Sequence, residues 1–81
     1  MQGGDVEAFV LVQTEVGAAA DVAEEIGALE GVLSAEAITG PYDVIARLQA
    51  DSVDALGKLV VSRIHLVEGV TRTLTCPIVH I

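Results

Sequence analysis

The stretch VLSAEAITGPYDVIARLQA, Val32 to Ala50, contains two apolar runs separated by Thr39-Gly40-Pro41-Tyr42. Gly40 permits positive φ, and Pro41 fixes its own φ and offers no N–H, so the pair marks a turn and its flanks read as strands. The incoming strand, Val32 to Thr39, is weakened by its alanines and by Glu36. A carboxylate on a sheet needs solvent or a partner, and Arg47 or Arg72 is the expected one. The outgoing strand, Asp43 to Ala50, is more regular. Alternation puts Val44, Ala46 and Leu48 on one face and Ile45, Arg47 and Gln49 on the other.

Upstream, EAFVLVQT from Glu7 to Thr14 is apolar and β-branched enough for a strand buried on both faces, ended by Gly17. Ala19, Val22, Ala23, Ile26 and Leu29 then recur at helical spacing, with Asp21, Glu24 and Glu25 on the opposite side. Asp21 suits the first turn of this helix, and Gly31 is expected to supply a left-handed stop. Downstream, Asp51 and Ser52 are good N-cap residues. Val53, Leu56, Leu59, Val60 and Ile64 give a second amphipathic helix running to about His65, with Arg63 favourably placed near its C-terminal end. A last strand, Val70 to about Val79, alternates Thr71, Thr73 and Thr75 with Arg72, Leu74 and Cys76. Pro77 cannot donate to a ladder, so this strand is expected either at an edge or unpaired at the proline.

The order strand, helix, strand, strand, helix, strand carries an internal echo: Leu29-Glu30-Gly31-Val32 is answered by Val67-Glu68-Gly69-Val70. Two such halves make the split βαβ arrangement, an α+β, ferredoxin-like βαββαβ fold with a four-stranded antiparallel sheet. Right-handed crossovers put both helices on one face. The other face is left bare, carrying Phe9, Leu11, Ile45 and part of the threonine row. Residues 1–6 read as a flexible lead and 7–81 as the single domain that 81 residues allow. A chain this short buries only about 60% of the surface its unfolded form exposes. Dimerisation through the bare face, as a dimeric α+β barrel with Phe9, Leu11 and Ile45 in the interface, would supply the rest.

Composition narrows the function. At 52% hydrophobic residues the chain is folded, yet it contains no membrane-spanning run. Twelve acidic residues stand against four basic ones, Arg47, Lys58, Arg63 and Arg72, which are scattered through the chain. A formal charge of −8 with one Phe, one Tyr and no Trp gives neither a phosphate-binding surface nor a stacking platform, so no direct nucleic-acid partner is expected. One cysteine forms no internal disulfide, in keeping with a cytoplasmic protein. Cys76, before Pro77 and outside any CxxC, reads as a buried structural thiol. His65 and His80 stand at no ligand spacing and read as surface or helix-end residues. No catalytic residue, metal or cofactor is expected.

The Tyr42-Asp43 corner and the threonine row remain. An ordinary turn and an ordinary strand explain each alone, since threonine is a good strand former. Together they offer a carboxylate for an ammonium group, and hydroxyl or backbone donors for a carboxylate, the two ends of a free amino acid.

These residues carry a family resemblance. Gly31-Val32 after the first helix, Ile38-Thr39-Gly40-Pro41-Tyr42-Asp43 at the turn, and Gly69-Val70 before an alternating threonine strand resemble the effector-binding (RAM) domain of the Lrp/AsnC, or feast/famine, regulators. The resemblance runs from Glu7 onward, and Thr-Gly-x-Tyr-Asp is its most specific part. It implies a ferredoxin-like protomer that dimerises through its sheet, with dimers assembling into tetramers or octamers and an amino-acid effector bound where dimers meet. It also implies Gly40, Tyr42 and Asp43 as ligand-contacting turn residues, and Thr73 and Thr75 as polar contacts from the last strand. Members generally carry an N-terminal helix-turn-helix. Here the first strand begins at Glu7, as in the stand-alone form, and the implied role is sensing or modulating a full-length regulator. Two rival classes are a small monooxygenase-like enzyme of the dimeric α+β-barrel type and a purely structural oligomerisation domain. The first would offer interior His, Trp or Asn, and this chain has no Trp, no Asn and two peripheral His.

Overall fold

The computed structural model describes residues 6–79. In chain order it contains β1 (Val6–Thr14), α1 (Ala19–Gly27), β2 (Val32–Ala37), β3 (Val44–Ala50), α2 (Val53–Ser62), a 3-10 turn (Ile64–Leu66) and β4 (Val70–Pro77). The four strands form one antiparallel sheet in the order β2-β3-β1-β4, the ferredoxin-like order expected from the repeat. Val6, assigned above to the flexible lead, is the first residue of β1 and pairs with Ala50. The rest of that lead, and His80, lie outside the described residues.

Pairing register sorts the side chains between the two faces. Ala8, Val10 and Val12 of β1 and Val44, Ala46 and Leu48 of β3 are all fully buried under the helices. Val22, Ala23 and Ile26 of α1 meet them, with Leu56 and Val60 of α2 and Ile64 and Val67 beyond it. No polar or charged residue is buried among those described. Apolar burial holds this face together, and truncating one of its leucines costs about 2–5 kcal/mol. On the other face Leu74, Leu11 and Ile45 form a row across three strands that ends at Glu36 on β2.

Several local expectations are corrected. The second helix stops at Ser62, not near His65. Arg63 leaves helical geometry (φ −124°, ψ −55°), and the tighter 3-10 turn that follows carries Ile64 into the core. Ser52 is the N-cap, its Oγ accepting from Ala55 N at 3.0 Å. The first helix ends at Gly27, so Gly31 acts one turn later, where its φ of +93° directs the chain into β2. The strands are shorter than expected: β2 ends at Ala37, β3 starts at Val44, and β4, which lies at an edge, ends at Pro77.

The threonine row is also on the other side. Thr73 pairs with Val12 and Thr75 with Val10, which puts both on the helix side of the sheet, while Arg72, Leu74 and Cys76 share the bare face with Gln13, Leu11 and Phe9. Cys76 is accordingly exposed in the protomer rather than buried. β1 is closed on one face only, Phe9 being 36% exposed. Arg47 reaches Glu7 rather than Glu36: its Nη2 and Nε donate to Glu7 Oε1 at 2.5 and 3.0 Å, with the guanidinium 5.4 Å from the Phe9 ring centre. Phe9 lies opposite Arg47 in the register and fixes its arm by a cation–π contact, which leaves Glu7 the nearer acceptor.

Candidate functional site

The turn between β2 and β3 is stitched to the end of β1. Ile38 N donates to Asp43 O at 2.8 Å, closing the loop. Asp43 N donates to Val12 O at 2.9 Å, Thr14 N donates to Asp43 Oδ2 at 2.9 Å, and Gln13 Nε2 donates to Pro41 O at 3.0 Å. Antiparallel pairing of β1 with β3 brings the C-terminal end of one to the N-terminal end of the other, so Val12, Gln13 and Thr14 meet the turn. Gly40 has φ +142°, and a Cβ there would meet nothing within 4 Å. Glycine is required at this position by the backbone, not by crowding.

This clamp holds the two side chains of the corner in different ways. Asp43 is half-buried, and one carboxylate oxygen is committed to Thr14 N. Its other oxygen, Oδ1, has no hydrogen-bond partner among the described residues, so it remains a fixed acceptor carrying formal negative charge. Tyr42 is half-buried, and its hydroxyl also has no partner among the described residues. Gly40 and Pro41 are exposed. The corner can accept a positively charged donor at Asp43 and exchange one hydrogen bond at Tyr42.

Thr73 and Thr75 do not join that corner within the protomer. They lie two strands away, on the helix side, and the Thr73 Oγ1 is 2.6 Å from His65 Nε2, which ties the 3-10 turn to the edge strand. Sequence reasoning missed Gln13 and Thr14 as anchors of the turn, and His65 as the partner of Thr73. Strand order would have pointed to the first pair, since any β1–β3 antiparallel neighbour brings residues 13 and 14 to the turn. Among the described residues, no group of three or more His, Cys, Asp or Glu could hold a metal ion. No helix among them is long and apolar enough to cross a membrane.

An antiparallel sheet in this order, with two helices on one face, defines a ferredoxin-like α+β domain. The chain belongs to the Lrp/AsnC ligand-binding domain family, whose model matches residues 7–80. It is similar, at 28% identity over 71 residues, to an uncharacterised helix-turn-helix-type transcriptional regulator of Pyrococcus furiosus; the match covers 84% of this chain and 47% of that protein. The chain spans about half or less of the length of the curated relatives it matches. Among solved structures, TTHA0845 from Thermus thermophilus superposes with a TM-score of 0.86 at 32% identity, covering 94% of this chain and 95% of that one. The fold is also that of transcriptional regulator NMB0573 from Neisseria meningitidis, solved as an L-Met complex: TM-score 0.82, 22% identity, 94% of this chain and 51% of that one.

Proposed function

We propose that the chain is a non-enzymatic, cytoplasmic sensing module that binds a free amino acid at the Gly40-Tyr42-Asp43 corner and assembles through its bare sheet face. The observation that carries this reading is the Asp43 carboxylate, held by Thr14 N through one oxygen and unpartnered at the other. An ammonium held away from bulk water needs such an acceptor, and a charge-assisted bond of this kind contributes about 1.5–3 kcal/mol. The Neisseria regulator of the same fold, solved with L-Met, supports the ligand class. In this reading Thr73 and Thr75 serve the ligand from a neighbouring subunit, because within one protomer they lie on β4, two strands away from the turn that holds Asp43. Two sheet faces close on Phe9, Leu11 and Ile45 to form the dimer, and further assembly to tetramers or octamers joins the corners of adjacent dimers. The output passes to a full-length Lrp/AsnC regulator, because the acidic chain itself gives DNA no counterion-releasing surface.

A thermal-shift screen of the twenty amino acids identifies the ligand, and calorimetry on Asp43→Asn with that ligand tests the site. The substitution keeps the shape of the side chain and removes its charge, so affinity falls about ten-fold to a hundred-fold while the fold survives. Unchanged affinity in a folded variant would mean that Asp43 only shapes the turn. Stabilisation by heme or flavin in the same screen, with no response to amino acids, would favour the enzyme reading instead.

A further inference from the structure

The bare face carries charges of both signs beside its apolar row. Glu7 and Arg47 satisfy each other within the protomer. Glu36 and Arg72 do not: among the described residues neither has an ion-pair partner. Glu36 lies opposite Ile45 on the edge strand β2, and Arg72 lies opposite Gln13 on the edge strand β4. Both side chains therefore leave the sheet on its bare side, at opposite edges.

A second copy can stack on this face about a two-fold axis in two limiting ways. With the axis running across the strands and the apolar row centred on it, β2 lies on the partner's β2 and β4 on the partner's β4. Each Glu36 then faces its own copy, while Arg72, two residues off the row, stands over the Cys76 end of the partner's β4, far from any Glu36. The two Glu36 carboxylates facing each other across the interface are strongly disfavoured. With the axis running along the strands, β2 lies over the partner's β4. Glu36 then stands over the Leu74–Arg72 stretch of the partner subunit, twice in the dimer, while Leu11 and Ile45 meet Ile45 and Leu11 at the centre. Stacked sheets lie about 10 Å apart, a gap that an arginine and a glutamate side chain span together.

We infer that the second copy docks with β2 over β4, its orientation set by two reciprocal ion pairs between Glu36 of one protomer and Arg72 of the partner subunit. The inference rests on the sheet-face dimer proposed above. The charges select one of two stackings that the apolar row alone leaves equivalent.

The test is sedimentation equilibrium at low salt on wild type, Glu36→Arg, Arg72→Glu and the double reversal, with circular dichroism to check folding. Both residues are exposed in the protomer, so all four proteins fold. Each single reversal is expected to raise the dimer dissociation constant about ten-fold or more, and the double reversal to restore it to within about three-fold of wild type. Added salt should weaken the wild-type dimer and narrow these differences. Unchanged singles, or a double variant weaker than either single, would overturn the orientation. Leu11→Asp in the same experiment separates the two readings. Loss of the wild-type dimer in Leu11→Asp without rescue in the double reversal overturns the ion pairs alone. A wild-type monomer, or a dimer indifferent to Leu11→Asp, overturns the sheet-face reading and the ion pairs with it.

Discussion

The two faces of the sheet are made from the same strands and follow different rules. Along β1, Ala8, Val10 and Val12 are completely buried beneath the helices, while Glu7, Phe9, Leu11 and Gln13 between them face the other way. The covered face is closed within one protomer by apolar side chains, with Thr73 and Thr75 at its β4 edge. The bare face combines an apolar row with a salt bridge, a cation–π contact and two charges, Glu36 and Arg72, that have no ion-pair partner among the described residues, too polar for a core and too apolar for a surface meant only for water. The difference teaches that folding of one protomer finishes one face and leaves the other open.

The sharpest way to break this comparison is one substitution placed on each face. Leu48→Asp, on the covered face, should abolish folding, because it leaves an uncompensated charge in a core where no polar residue is buried among those described. Circular dichroism reads the loss directly. Leu11→Asp, on the bare face, should leave a folded protomer that elutes as a monomer in light scattering. A Leu11→Asp protein as unfolded as Leu48→Asp would show that the covered face is not self-sufficient.

A milder probe of the covered side is Gly69→Ala. Gly69 has φ +99°, and a Cβ there would lie 3.1 Å from both Ala18 Cβ and Val22 Cγ2. Left-handed strain and crowding together should cost about 1–2 kcal/mol in urea denaturation. At its repeat counterpart Gly31, the added Cβ would lie 3.0 Å from Leu59 Cδ2, the end of a side chain that can move, so Gly31→Ala should cost less.

The smallest effect is expected at the bare-face salt bridge. Glu7→Gln removes a pair in which Arg47 is 44% exposed, and protomer stability should change by less than about 1 kcal/mol. A larger loss in the protomer would mean that this face carries folding energy of its own.

The corner divides differently between sequence and structure. Gly40-Pro41 announced a turn and Asp43 its carboxylate, because turn chemistry is local. The anchors Gln13 and Thr14 lie 28 and 29 residues away from their partners Pro41 and Asp43, and no local pattern connects them. The face of the threonine row was equally illegible. At an edge strand both faces reach solvent, threonine suits either, and the parity of β4 is set by its pairing with β1, in which the register shifts at Gln13/Thr14.

By itself the sequence determined the element order, the split between Val44, Ala46, Leu48 and Ile45, Arg47, Gln49, and the narrowing of the Pro77 strand to an edge or a broken ladder. Each follows from a short-range cause: side-chain periodicity, glycine and proline geometry, or a missing N–H. Only the tertiary structure decided that Arg47 pairs with Glu7, that Thr73 and Thr75 lie on the helix side, two strands from the Tyr42-Asp43 turn, and that Asp43 is held by Thr14. These depend on register, and a shift of one residue between paired strands exchanges the faces of every side chain while leaving the local pattern of each strand unchanged.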